Sequence, residues 1–123
     1  MSLHYKARHE RRCRLCRRPH KVRPLTVHHL VPQHIFRTKL RIRDHEAWKR
    51  RRDANSNVVP LCRQCHDLVD SADAMLRRLY REMLRKVLKP GEISFIRRTM
   101  GEEWLEAEYP SRGHGNSFLA ATA

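Results

Sequence analysis

Four cysteines in two Cys-x-x-Cys pairs, Cys13 with Cys16 and Cys62 with Cys65, carry the strongest chemical signal in the sequence. Each pair is a tight turn whose two thiolates can grip one ion, and together they complete a tetrahedral four-cysteine zinc site. Such a site is closed and offers no position to a substrate, so its work is to staple the fold. The chemistry then falls to the residues the staple gathers. These are the adjacent pair His28 and His29, followed by Leu30-Val31-Pro32, then Asn57 ahead of the second pair, and His66 directly after Cys65. Neighbouring residues on a strand point to opposite faces, so His28 and His29 suit two different tasks rather than one shared ion. Asp70 lies one helical turn beyond His66, on the same face and outside the apolar stripe described below.

The elements that must position these residues are partly legible. Arg23 to Leu30 alternates weakly and carries β-branched residues, which predicts a short strand ending near the histidines, with Pro32 to stop it. Asn55-Ser56-Asn57 reads as a turn, and Val58 to Leu61 as a second short strand leading into the second knuckle. Between them, Ile35 to Arg52 is a basic insertion with helical leanings but no clean apolar period.

From about His66 the pattern is helical. Leu68, Val69, Ala72, Met75, Leu76, Leu79, Tyr80, Met83, Leu84, Val87 and Leu88 recur every three or four residues. Ser71 offers a cap, but the stripe crosses it without a phase jump, so one long helix is expected, closed by Lys89-Pro90-Gly91. The stripe reads as core packing in preference to a dimer seam. A shorter helix over 94–108 would pack Phe95, Ile96, Met100, Trp104 and Leu105 against it. The expected organisation is one α+β domain over 1–123: a stapled core over 10–70, a helical extension over 71–109 and a flexible tail over 110–123.

The net charge is +14, and it is one-sided. Residues 6–52 hold 17 Lys and Arg against Glu10, Asp44 and Glu46, while acids and bases cancel in the remainder. An excess of this size on the half with the histidine pair favours a polyanion partner bound with strong salt dependence. Arg37, Lys39, Arg41, Arg43, Lys49, Arg50, Arg51 and Arg52 are the candidate contacts to nucleic acid. No stretch is apolar enough to span a bilayer or resemble an export signal. Cysteines in knuckle spacing in such a chain read as metal ligands rather than disulfides, and the expected compartment is the reducing cytoplasm.

The order Cys-x-x-Cys, His-His-hydrophobe-x-Pro, Asn, Leu-Cys-x-x-Cys-His resembles the HNH endonuclease family, in the variant whose zinc knuckles flank a ββα-metal core. The resemblance covers roughly Cys13 to Asp70. It implies metal-dependent hydrolysis of DNA phosphodiester bonds. By that resemblance His28 and His66 are ligands of a divalent cation (Mg²⁺, Mn²⁺, Ni²⁺ or Zn²⁺), and His29 is the general base. Asn57 is the residue that orients His29, with Asn55 as its alternative. Asp70 occupies a position where some relatives place a third ligand, and a solvated helix-start carboxylate is the competing reading. Two departures stand out: the 28-residue gap from His29 to Asn57 is long for the family, and glycines usual after the histidine pair are missing.

Two rival readings remain open at the level of sequence. One is a non-catalytic zinc-stapled module that binds nucleic acid; the other is a nuclease acting on RNA through the same site. Monomer and homodimer are equally open. His4, His9, His20, His34, His45 and His114 have no motif support and read as surface residues, although His20 could compete for the zinc. Trp48 and Tyr80 read as packing residues in preference to base-stacking platforms.

Overall fold

The computed structural model describes residues 5–111. The expected tail from 112 onward, together with His4 and His114, lies outside the described residues. The chain forms a mixed α+β structure around one two-stranded sheet. Its elements are α1 (Tyr5–Glu10), β1 (Leu25–His29), α2 (Gln33–Thr38), α3 (His45–Arg52), a 3₁₀ turn (Asn55–Asn57), β2 (Val58–Cys62), α4 (Arg63–Val69), α5 (Ala74–Lys86), α6 (Pro90–Met100) and α7 (Glu102–Glu108).

The two strands pair antiparallel, with Leu25 opposite Cys62, His28 opposite Val59 and His29 opposite Val58. This register sets the histidine pair at one end of the hairpin and the second knuckle at the other. All five residues of β2 are buried. Its free edge is partly covered by the first knuckle, where the Arg14 N–H donates to the Pro60 carbonyl at 2.9 Å. A proline in a sheet keeps an acceptor but loses a donor, so it suits this edge.

Asn57 bolts the hairpin together. Its backbone carbonyl accepts from Leu30 N at 2.7 Å, its Oδ1 accepts from Val31 N at 2.8 Å, and its Nδ2 donates to the Val31 and Arg52 carbonyls. The side chain is fully buried and every polar atom is used, so the amide substitutes for ladder bonds the strands no longer make. Asn55, the alternative at this motif position, is exposed.

The expected single long helix is in fact two. α4 ends at Val69 with Asp70 as its cap, and α5 starts at Ala74 behind Asp73, whose carboxylate accepts from the N–H groups of Met75 and Leu76. Ser71 Oγ takes the Asp73 N–H at 3.1 Å. Short polar side chains that satisfy helix-end donors outweigh an apolar period that runs on across the break. The expected helix over 94–108 also divides. Pro90 opens α6 at its first turn, and Gly101, at φ 92°, separates α6 from α7 with a backbone angle costly for other residues.

A single apolar cluster joins the hairpin to the later helices: Leu25, Leu30, Phe36 and Leu61 meet Leu84, Phe95, Ile96, Leu105 and Tyr109. The stripe on α5 is shared between this core and the surface. Leu84 is buried, whereas Met75, Leu76, Leu79, Met83 and Val87 are exposed.

Candidate active site and metal centres

Cys13, Cys16, Cys62 and Cys65 bring their sulfurs within 4.8 Å of one another. The Cys16 and Cys62 sulfurs are 3.7 Å apart. That is close to the edge of a tetrahedron with metal–sulfur bonds of about 2.3 Å, and far beyond the roughly 2.05 Å of a disulfide. The N–H groups of Cys16 and Cys65 each point at the sulfur of the first cysteine of their own knuckle, at 3.4 Å. Burial opposes ionisation of Cys16, but the Arg18 N–H and the neighbouring thiols outweigh it and bring its thiol down to about 7. The Arg23 guanidinium is held more basic by the neighbouring Cys62 thiol. Four thiolates around a divalent ion carry net negative charge, which a guanidinium at the rim offsets. The four cysteines are therefore positioned to hold a metal ion of the zinc type. His20 does not join them, because its Nδ1 accepts the Leu25 N–H at 2.9 Å.

A second cluster forms where β1 meets α4. Ligand atoms of His28, His66 and Asp70 lie within 4.8 Å of one another. His66 Nε2 is 3.1 Å and His28 Nδ1 3.5 Å from Asp70 Oδ2. Asp70 is exposed, yet its Oδ2 lies beside both histidines. Burial pushes His28 below the usual imidazole value by more than Asp70 raises it, so the ring is neutral.

The protons on the two rings follow from their outer partners. Thr26 Oγ1 donates to the Leu61 carbonyl at 2.8 Å and lies 2.6 Å from His66 Nδ1. Its one proton is used, so it accepts from Nδ1–H, and the lone pair of His66 is on Nε2, facing Asp70. Tyr109 Oη donates to the Leu30 carbonyl at 2.9 Å and lies 2.9 Å from His28 Nε2. With the phenol proton given to the Leu30 carbonyl, the His28 proton is placed on Nε2 and its lone pair on Nδ1, on the side of Asp70. Two imidazole lone pairs and a carboxylate oxygen then converge on one point, a donor set that suits a divalent cation.

His29 does not belong to this cluster. Its Nε2 meets Asp53 Oδ1 at 3.0 Å, while its ring lines the same cleft of about 350 Å³ as His28, His66, Asp70 and Arg81. Asp53 is gripped on both oxygens by Arg52, at 3.0 and 3.2 Å. Burial raises the Asp53 carboxyl, but Arg52 and His29 outweigh it and keep it below its ordinary value. Arg52 in turn reaches Gln33 Oε1 and stacks 4.3 Å above the Trp48 ring, with Arg37 at 4.0 Å from the same ring. Of the eight basic candidates in the insertion, Arg52 is thus largely committed to a structural strut. Lys39, Arg41, Arg43, Lys49, Arg50 and Arg51 are exposed, and Arg37 is exposed at the edge of the Trp48 stack. Trp48 also donates its indole N–H to the Gln33 carbonyl, in keeping with a packing role.

Four residues at this site went unread in the sequence: Thr26, Asp53, Arg81 and Tyr109. Arg81 is buried, donating to Asp70 Oδ1 at 3.0 Å, to the Val69 carbonyl at 2.7 Å and to Glu108 at 3.1 Å. No signal in the sequence marked Arg81, which lies outside the apolar stripe among Arg77, Arg78, Arg85 and Lys86.

A hairpin–helix unit clasped by a four-sulfur cluster, with two histidines and a carboxylate converging in its cleft, defines the class of protein. Residues 13–71, just under half of the chain, match the family model described as HNH endonuclease. No curated protein and no solved structure matches the chain significantly. The match ends at residue 71, so Arg81, Glu108 and Tyr109 reach the site from helices outside the family segment. The match points to a nuclease or nucleic-acid-binding role that uses divalent metal. Among the described residues no helix is long and apolar enough to cross a membrane.

Proposed function

We propose that the chain is a metal-dependent endonuclease that hydrolyses DNA phosphodiester bonds, built on a ββα-metal core stapled by zinc at Cys13, Cys16, Cys62 and Cys65. The observation that carries this reading is the convergence of ligand atoms of His28, His66 and Asp70 in a cleft whose wall also holds His29. His28, His66 and Asp70 would hold the cation, and two imidazoles among three donors favour Mn²⁺, Ni²⁺ or Zn²⁺ over Mg²⁺. Once bound, that cation would polarise a phosphate oxygen and take up charge on the leaving 3′ oxygen.

His29 acts as the base. The contact of its Nε2 with the Asp53 carboxylate holds the ring at the cleft, where it takes a proton from the attacking water. Asp53 steadies the ring and compensates the positive charge the ring acquires. Asn57 holds the strand end that carries His29 and the Arg52 carbonyl beside Asp53. The exposed bases of α2, α3 and the loop between them contact backbone phosphates and position the duplex without reading sequence. The helices over 74–109 form one domain with this core through their shared apolar cluster. Free thiols in knuckle geometry fit a reducing, intracellular setting.

The test is a nicking assay on supercoiled plasmid, with single-stranded RNA in parallel, across Mg²⁺, Mn²⁺ and Ni²⁺. His29→Ala should cut about 10²–10⁴-fold more slowly and stay slow at high cation concentration. His28→Ala and His66→Ala should recover part of their activity as the cation is raised. Parent-like cutting by all three variants would refute the nuclease reading and favour a binding module; cutting confined to RNA would move the substrate class.

A further inference from the structure

The hydroxyl of Tyr109 belongs to the chemistry of the cleft although it lies far outside the matched segment. It arrives just after α7, fully buried, and meets His28, which is only 3 % exposed. Its 2.9 Å contacts to His28 Nε2 and to the Leu30 carbonyl make a short relay: ring N–H to phenol oxygen, phenol O–H to carbonyl. Reversing the relay would leave the buried Leu30 carbonyl without the phenol proton, a cost borne in a place where water is excluded. The direction of the relay therefore selects the tautomer of His28.

We propose that Tyr109 is a positioning residue for the cation site, locking His28 in the tautomer whose Nδ1 lone pair faces His66 and Asp70. This rests on the reading that His28 ligates a cation. Thr26 performs the same service for His66 from within the hairpin, so each imidazole is held by a hydroxyl that passes its own proton to a backbone carbonyl. Arg81 completes the arrangement: it lies 5.1 Å from the Tyr109 ring and fixes the Asp70 oxygen that faces away from the histidines. The helices beyond residue 71 thereby supply a shell of support to a metal site whose three ligands all lie within the family segment. A hydroxyl that holds the far nitrogen of a ligating imidazole sets that ligand's orientation and basicity, and its loss weakens the site without dismantling it.

Tyr109→Phe removes the hydroxyl and keeps the ring. Two measurements on the zinc-loaded full chain, free of nucleic acid, decide the matter. The first is calorimetric titration with Mn²⁺ for the parent, Tyr109→Phe and His28→Ala. The second is the ¹⁵N signature of the His28 ring, which reports where the proton sits. The parent should show the Nε2–H tautomer, and Tyr109→Phe should show a mixture. Its Mn²⁺ affinity should fall about 10- to 100-fold, with nicking restored at high Mn²⁺.

An Nδ1–H tautomer in the parent would overturn the proposal directly, whatever becomes of the variant. Parent-like Mn²⁺ affinity in Tyr109→Phe would overturn it too, as would weakened affinity with an unchanged tautomer, which would mark a packing role only. If His28→Ala bound Mn²⁺ as the parent does, the cation reading itself would fall, an outcome distinct from failure of Tyr109 alone.

Discussion

Replacing Glu92 with alanine should unfold this protein many degrees earlier than the parent, because one buried carboxylate ties the first knuckle to the later helices. Glu92 opens α6 and is only 2 % exposed. It accepts from Arg14 Nη1 at 2.7 Å and Nη2 at 3.0 Å, from the Lys89 N–H at 2.6 Å, and pairs with Lys6. Arg14, inside the first Cys-x-x-Cys turn, is equally buried and keeps Glu10 and the Val87 carbonyl as its other partners. Breaking one side of a buried pair costs about 3–5 kcal/mol; with Glu10 still in place the lower end, about 3 kcal/mol, is expected. For a domain of this size each kcal/mol moves the melting temperature by about 4 °C, so a fall of about 12 °C should follow.

The assay is thermal unfolding of zinc-loaded protein by circular dichroism, with zinc content checked first. The double variant Arg14→Met/Glu92→Leu should regain more than half of the loss, because paired apolar replacements remove the desolvation cost along with the attraction. Melting of Glu92→Ala within about 2 °C of the parent, against the estimate above, would refute the claim that this contact anchors the knuckle. Acid gives an independent check with a definite sign. Burial raises the Glu92 carboxyl, but Arg14, Lys6 and the Lys89 N–H outweigh it and hold it below its ordinary value of 4.5. Its contribution is then complete above pH 4.5 and is lost as pH falls below it, and Glu92→Gln should flatten that part of the stability profile.

Chelation should release about one zinc per chain and unfold the hairpin core, with Cys62→Ser mimicking the effect; a fold intact after complete removal of metal would rule out the staple. Asp53→Ala should lower nicking turnover about tenfold to a hundredfold with DNA affinity and cation demand unchanged, and Asp53→Asn, which keeps an acceptor for His29, should fall between; parent-like turnover would remove Asp53 from the site. Affinity for duplex DNA should drop steeply with salt, and Arg50→Glu/Arg51→Glu should lower both the affinity and the salt slope. Arg52→Glu should depart from that pair by reducing turnover more than affinity, since Arg52 grips Asp53; equal behaviour of the three would count against the strut.

The sequence by itself determined the knuckles, the strands on either side of the basic insertion, and the order of His28, His29, Asn57 and His66. These are local signals: turn spacing for two thiolates, β-branched residues between breakers, and a histidine adjoining a cysteine at a helix start. The family segment is legible for the same reason. Periodicity alone misjudged the region after Val69, because hydroxyl and carboxylate caps at Ser71 and Asp73 act within four residues and override a stripe that counts only apolar faces. What holds the site was decided by tertiary structure. Thr26 and His66, Asp53 and His29, and Tyr109 and His28 are separated by 40, 24 and 81 residues along the chain. No spacing rule links such pairs. They meet because the antiparallel register and the packing of α5 to α7 onto the hairpin bring them within hydrogen-bond reach, and burial then makes each contact obligatory.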